Sequence, residues 1–96
     1  MMVLITYDVE TLSPAGRKRL RQIAKQCVNY GQRVQNSVFE CLIDPAQFAE
    51  LKHRLESIMD AEKDSLRYYM LGNKWESKIE HVGTKQSYNP EGPMII

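Results

Sequence analysis

The sequence has little of what marks membrane, secreted or disulfide-stabilised proteins. Only two of its 96 residues are cysteine, and no apolar run approaches the roughly 20 residues that a membrane-spanning helix needs. Cys27 and Cys41 form no Cys-x-x-Cys unit and each lies in an apolar pattern, so we expect buried, reduced thiols rather than a disulfide or zinc site. The N-terminus lacks the basic residues and the length of a signal peptide, and we therefore expect a soluble, cytoplasmic protein.

The residue patterns of several enzyme classes are also missing. The chain has no Gly-rich phosphate-binding loop and no Ser-His-Asp or Cys-His arrangement, and neither His53 nor His81 has a partner at metal-ligand spacing. A histidine-based ribonuclease needs a general base near the phosphate, and the sequence supplies none. The candidates for chemistry are therefore carboxylates and basic residues.

Charge is balanced in total but unevenly distributed along the chain. The formal net charge is +1, so composition alone gives no reason to expect a nucleic-acid partner. No acidic residue occurs between Glu10 and Glu40, whereas the same interval holds six basic ones, namely Arg17, Lys18, Arg19, Arg21, Lys25 and Arg33. This distribution predicts a basic face on a nearly neutral body. Such a face suits phosphate binding, and it is also what an ordinary solvated helix surface looks like.

Hydrophobic periodicity predicts a strand and then a helix in the first third of the chain. Residues 3–7 are mostly apolar and β-branched, which is typical of a buried strand. Ser13 followed by Pro14 predicts a capped helix start, and Gly31 predicts the helix end.

The remaining elements complete a recognisable order. Residues 32–43 suggest two strands joined at Asn36-Ser37, Asp44-Pro45 predicts a second helix start, and residues 66–71 predict another strand. The order β-α-β-β-α-β predicts an α+β, ferredoxin-like fold, an antiparallel sheet with two helices on one face. We assign this single domain to residues 1–82, with a short additional C-terminal strand at residues 78–82 and an irregular tail at residues 83–96.

Asp8 is the candidate catalytic and metal-binding residue. It stands where the chain leaves a central strand, and an ionised carboxylate there suits a hard cation such as Mg²⁺. One carboxylate is a poor metal site, but a two-fold axis would bring two copies of Asp8 together. Mg²⁺ held in this way could polarise a phosphodiester and activate water for in-line attack. The alternative is an aspartate that makes a turn or capping hydrogen bond after the strand.

The candidate nucleic-acid contacts come from the basic segment and from the third strand. Forked guanidinium groups bind phosphate without reading base sequence. Ser37 could donate to a phosphate or serve a backbone hydrogen bond, and Phe39 could stack on a base or belong to the core. The predicted nucleic-acid-binding residues are Arg17, Arg19, Arg21, Arg33, Ser37 and Phe39.

Four segments together resemble the small CRISPR-associated endonuclease family, the second of the two core proteins of the CRISPR adaptation module. The resemblance covers roughly residues 2–82 and is most specific at residues 35–40. The segments are Tyr7-Asp8-Val9, Gly16-Arg17-Lys18-Arg19-Leu20, Gln35-Asn36-Ser37-Val38-Phe39-Glu40 and Ser65-Leu66-Arg67-Tyr68-Tyr69.

This resemblance implies an assembly and an activity. It implies a homodimer in which the short C-terminal strand adds to the partner's sheet and Asp8 of each subunit shares one Mg²⁺. Family members are metal-dependent nucleases of single-stranded RNA or double-stranded DNA, and they bridge the adaptation integrase in the complex that inserts new spacers into the CRISPR array. Arg17, Arg19, Arg33 and Phe39 occupy positions similar to the family's functional ones.

The resulting hypothesis is a dimeric, magnesium-dependent endonuclease that acts in spacer acquisition. In it, paired Asp8 carboxylates hold Mg²⁺, water attacks the phosphodiester and the arginines clamp the flanking phosphates. One alternative is a non-catalytic DNA-binding scaffold of the integration complex, which would tolerate Asp8→Asn. Another is a toxin ribonuclease of the VapD-like group, which shares the fold.

Overall fold

A computed structural model describes residues 1–83 of the chain. The predicted tail therefore lies, from residue 84 onward, outside the described residues. The strands are β1 (Met2–Asp8), β2 (Gln32–Gln35), β3 (Val38–Leu42) and β4 (Ser65–Gly72). The helices are α1 (Pro14–Val28) and α2 (Pro45–Ile58), and a single 3₁₀ turn follows at Trp75–Lys78.

The four strands form one sheet in the order β2-β3-β1-β4, with every neighbouring pair antiparallel. The strand β1 is therefore central, and its Ile5 lies between Phe39 of β3 and Tyr68 of β4. This topology confirms the predicted α+β, ferredoxin-like fold.

Alternation along β1 separates a core face from an open face, because successive strand side chains point to opposite sides of a sheet. Val3, Ile5 and Tyr7 are buried in one cluster with Ile23 of α1 and Leu51 of α2. Both helices thus cover the same face. Cys27 and Cys41 belong to this cluster as free, buried thiols, as predicted, and desolvation raises the pKa of each to about 12.

Both helices begin where the sequence predicts. The Ser13 hydroxyl accepts a hydrogen bond from the Gly16 N–H, and Asp44 forms a reciprocal capping box with Gln47. Helix α1 ends at Val28, before the predicted stop, and Gly31 instead allows close packing, since a Cβ there would overlap the Glu40 carbonyl oxygen. Within the described chain, neither helix has the length and apolar character that crossing a membrane would need.

The predicted additional strand at residues 78–82 is not formed within the described chain. Trp75–Lys78 form the 3₁₀ turn, and residues 79–82 have no strand partner. These residues instead border a cleft over the open face of the sheet, opposite Val34 and Glu40. The strand was expected to add to a partner's sheet, so that pairing stays a prediction.

Candidate metal and nucleic-acid site

Antiparallel pairing brings three chain segments to one end of the sheet. The strand β1 ends at Asp8, which lies opposite Ser65 at the start of β4. On the other side, Thr6 pairs with Val38, and the Tyr7 N–H donates to the Ser37 carbonyl at 3.1 Å, so the β2–β3 turn adjoins the same end. The candidate site is therefore built on a strand end flanked by two connections.

Asp8 is exposed at this end. Among residues 1–83 its carboxylate makes no hydrogen bond and no ion pair, so it does not serve the turn or cap that was the alternative interpretation. Hard cations such as Mg²⁺ prefer carboxylate and water oxygens, so a free, solvated carboxylate fits such an ion. No group of three or more metal-ligating side chains exists in the described residues. Within these residues a single chain therefore offers Asp8 as an isolated carboxylate rather than as one of a set of metal ligands.

The loop that joins β1 to α1 (residues 9–13, the β1–α1 loop) is held by its own side chains. The Glu10 carboxylate accepts from the Ser13 N–H at 2.9 Å and from the Ser13 hydroxyl at 3.0 Å. These hydrogen bonds lower the pKa of Glu10. Arg17 Nη1 closes the outer side of the loop by donating to the carbonyls of Thr11 at 3.0 Å and Leu12 at 3.5 Å.

A buried carboxylate on the far side of the loop engages one of the predicted phosphate ligands. The Asp64 side chain has 0% exposure, and it receives Arg19 Nε at 2.7 Å and Arg19 Nη2 at 3.2 Å. It also accepts from the backbone N–H groups of Asp60 at 2.9 Å and Glu10 at 3.1 Å. Led by the hydrogen bonds from Arg19, these donors lower the pKa of Asp64 to about 2. The structure thus directs Arg19 inward, into an ion pair.

Phe39 and Arg33 form a stacked unit on the helix-covered side of the sheet. Phe39 is fully buried, Tyr7 packs against it at a centroid distance of 6.2 Å, and the Arg33 guanidinium lies 5.3 Å from its ring centre. The Tyr7 hydroxyl donates to the Asn36 carbonyl at 3.3 Å, and burial raises the pKa of Tyr7. In this structure Phe39 offers no free face to a base and instead supports an exposed arginine.

Three predicted nucleic-acid-binding residues remain: two exposed arginines on α1 and one serine in the β2–β3 turn. Arg17 and Arg21 are exposed one turn apart on α1, and Arg21 has no hydrogen bond or ion pair within the described part of the chain. Ser37 is half-buried in the β2–β3 turn, where its carbonyl extends the β1–β3 ladder.

Sequence reasoning missed Asp64 altogether. It falls in a charged turn before β4, and its partner Arg19 is 45 positions away, so no local pattern pairs them. The structure therefore separates the six predicted nucleic-acid ligands into two groups. Arg17, Arg21 and Arg33 face solvent, whereas Arg19 and Phe39 support the surrounding structure and Ser37 serves the turn.

The fold and this sheet end define a class: a small ferredoxin-like domain with an exposed carboxylate at a strand end and exposed arginines on α1 and β2. A family profile described as CRISPR associated protein Cas2 matches residues 1–79. The chain belongs to this family, which confirms the resemblance found in the sequence.

Relatives over the full length of the chain agree with this assignment. The chain is 64% identical to the CRISPR-associated endoribonuclease Cas2 of Nitratidesulfovibrio vulgaris, over 100% of this chain and 94% of that protein. It is 60% identical to the CRISPR-associated endonuclease Cas2 of Halalkalibacterium halodurans, over 100% of both chains. The crystal structure of Streptococcus pyogenes Cas2 at pH 6.5 superposes with a TM-score of 0.76 at 61% identity, covering 86% of this chain and 100% of that chain.

Proposed function

We propose that this protein is a nuclease that hydrolyses phosphodiester bonds in single-stranded RNA or double-stranded DNA, acting as a homodimer with Mg²⁺ bound between two copies of Asp8. The observation that carries the proposal is the exposed Asp8 carboxylate at a strand end, which has no hydrogen bond or ion pair among residues 1–83. A surface aspartate that serves the fold normally caps or closes a turn, and within those residues Asp8 does neither. Names of close relatives, endoribonuclease and endonuclease, support the same class of reaction.

The Asp8 carboxylate is the type of ligand that Mg²⁺ prefers, but one carboxylate provides too few protein ligands for the proposed site. Mg²⁺ requires near-octahedral oxygen coordination and commonly retains several waters while binding one or two carboxylates. A second copy of the chain would supply the second carboxylate, because a two-fold axis repeats each residue across an interface. When bound, Mg²⁺ would polarise the phosphoryl oxygen and lower the pKa of a coordinated water.

The exposed arginines would hold the substrate by its phosphates. Arg17, Arg21 and Arg33 each present a guanidinium to solvent, and this group binds phosphate through paired N–H donors. Arg33 is held over the ring of Phe39, which limits the side-chain freedom that binding would otherwise remove. Arg19 and Phe39 contribute by supporting the loop and Arg33.

The proposed setting is spacer acquisition, in which the homodimer bridges the adaptation integrase. Family membership supports this setting. The family match also favours it over a VapD-like toxin ribonuclease. A non-catalytic DNA-binding scaffold remains the second candidate, because exposed arginines could hold a duplex whether or not Asp8 acts on it.

Cleavage assays separate the two candidates. Labelled single-stranded RNA and duplex DNA would be incubated with and without Mg²⁺, using wild type, Asp8→Asn and the matched control Asp44→Asn. Asparagine is also a good N-cap residue, so the control retains the α2 cap at the end of β3. We expect magnesium-dependent cleavage that is lost only in Asp8→Asn. Binding without cleavage, equal in all three proteins, would favour the scaffold.

Sedimentation equilibrium of the same three proteins tests the proposed dimer. We expect wild type to have twice the mass of one chain, and Asp8→Asn to retain that mass, because the sheet rather than the metal would carry most of the interface. A monomeric wild type that still cleaves would contradict the shared metal site.

A further inference from the structure

We infer that Asp64 is a positioning residue for this nuclease: its buried carboxylate fixes the β1–α1 loop and thereby sets where Asp8 and Arg17 stand relative to the scissile phosphate. The inference rests on the proposed function for its catalytic part. Its structural part, the clamping of the loop, depends only on contacts within the chain.

Asp64 joins three separate segments through four hydrogen bonds. One carboxylate oxygen accepts from the Glu10 N–H at 3.1 Å and from Arg19 Nη2 at 3.2 Å. The other accepts from the Asp60 N–H at 2.9 Å and from Arg19 Nε at 2.7 Å. The loop after β1, helix α1 and the turn before β4 are thereby tied to a single side chain.

These contacts bracket Asp8 from both sides. Glu10 follows Asp8 by two residues, and its N–H is held by Asp64. Ser65, which pairs with Asp8 across the sheet, is the residue immediately after Asp64. A displacement of Asp64 would therefore reach Asp8 both through the loop and through β4.

The same clamp extends to Arg17 through the loop. Glu10 binds the N–H and hydroxyl of Ser13, and the Ser13 hydroxyl in turn accepts from the Gly16 N–H at 3.0 Å. Arg17 Nη1 then donates to the carbonyl of Thr11 at 3.0 Å. Because each link uses groups of the loop itself, the position of the Arg17 guanidinium depends on the loop keeping this shape.

Asp64→Asn disrupts this arrangement whichever way the amide is turned. Each Asp64 oxygen accepts one backbone N–H and one guanidinium N–H, so the NH₂ of asparagine would face two donors in either orientation. A matched control exists in Glu50→Gln, which also removes a carboxylate from an arginine partner at 2.7 Å but at 52% side-chain exposure on α2.

The test combines steady-state kinetics with amide hydrogen exchange. Wild type, Asp64→Asn and Glu50→Gln would be assayed with Mg²⁺ and one substrate, at a temperature well below the Tm of each. We expect kcat of Asp64→Asn to fall by about tenfold to a hundredfold, with KM within about threefold of wild type because Arg21 and Arg33 still bind substrate. The amides of Glu10, Ser13 and Gly16 should lose protection, whereas those of β1 should keep theirs.

Arg19→Lys serves as the second variant if Asp64→Asn fails to fold. Lysine keeps the positive charge opposite Asp64 but lacks the paired N–H donors of the guanidinium. We therefore expect an intermediate loss of kcat and a partial loss of loop protection. A folded variant with kcat within twofold of Glu50→Gln would overturn the inference, as would a loss of loop protection that leaves kcat unchanged. A wild type that cleaves nothing would overturn the proposed nuclease and the catalytic part of this inference, while exchange at residues 10–16 would still decide the clamp.

Discussion

Two aspartates of this chain show how the surroundings of a residue decide its role. Asp8 and Asp64 flank the same end of the sheet, yet Asp64 is buried among four donors while Asp8 is exposed with none among residues 1–83. A carboxylate that is fully hydrogen-bonded is held in place, and one that is solvated remains available to a cation. Burial and hydrogen-bond donors therefore distinguish the supporting Asp64 from Asp8, the carboxylate that we propose for the chemistry.

The pH dependence of folding follows from Asp64. Its folded pKa of about 2 lies below the ordinary value of 3.8, so between these pH values the unfolded chain binds more protons. The contribution of Asp64 is therefore fully present above pH 3.8 and is lost as the pH falls through about 2. We expect the free energy of unfolding, measured by urea denaturation, to fall less steeply over this window in Asp64→Asn than in wild type.

The control for this prediction is Glu50→Gln, which removes an exposed carboxylate from a surface ion pair. Surface pairs contribute little to stability, so this variant should keep most of the wild-type slope. Equal slopes in Asp64→Asn and wild type would contradict the assignment.

Gly16 is a helix position at which replacing glycine by alanine should destabilise the protein rather than stabilise it. Replacing glycine by alanine inside a helix normally stabilises it by about 0.5–1 kcal/mol. Here a Cβ would overlap the Glu10 carbonyl oxygen, and relieving that overlap means moving the β1–α1 loop. We expect Gly16→Ala to lower the free energy of unfolding by about 1–3 kcal/mol, measured by urea denaturation. Gln22→Ala, at an exposed site on the same helix, is the control, and a stabilised Gly16→Ala would refute the close packing.

At the scale of elements, α1 combines a supporting contact with an exposed basic surface. Residues two positions apart on a helix point in different directions, so Arg17 and Arg21 face solvent while Arg19 turns toward Asp64. A run of arginines that reads as one basic patch in the sequence is thus divided by helical geometry.

Helix α2 allows stability to be changed without touching the site. Asp44 caps α2 by accepting from the Gln47 N–H at 2.7 Å, and it follows β3 at the end of the sheet away from Asp8. We expect Asp44→Ala to reduce the free energy of unfolding by about 1 kcal/mol, measured by urea denaturation, with nuclease activity unchanged at temperatures below the Tm. A parallel loss of activity would mean that global stability limits the reaction.

At the scale of the whole molecule, the proposed nucleic-acid binding would depend on a local basic surface rather than on net charge, which is only +1. Each phosphate contact contributes about 0.9 to the slope of log K against log salt for duplex DNA, and about 0.7 for single strands. We expect Arg21→Gln to reduce this slope by about one such unit, measured by fluorescence anisotropy across a salt series. Lys52→Gln removes a charge from α2, and an equal change in that control would place the binding surface elsewhere.

Much of the fold could be predicted because its signals are local. Serine or aspartate before proline marked both helix starts, and apolar periodicity marked the core. Within the described chain residues 78–82 form no strand, and their pairing with a partner's sheet stays a prediction because a single chain does not contain that sheet. Of the site, the position of Asp8 at a strand end was predictable, whereas the inward turn of Arg19 and the burial of Phe39 were not.

The sequence by itself determined the order of elements, the family and the strand-end carboxylate, because propensity, capping and hydrophobic period act over a few neighbouring residues. Only the tertiary structure decided which basic residues remain free. Arg19 meets Asp64 across 45 positions, and Arg33 meets Phe39 across a strand pair. Such contacts depend on how distant segments pack. Packing against Asp64 gives Arg19, a candidate phosphate ligand in the sequence, a structural role in the candidate site.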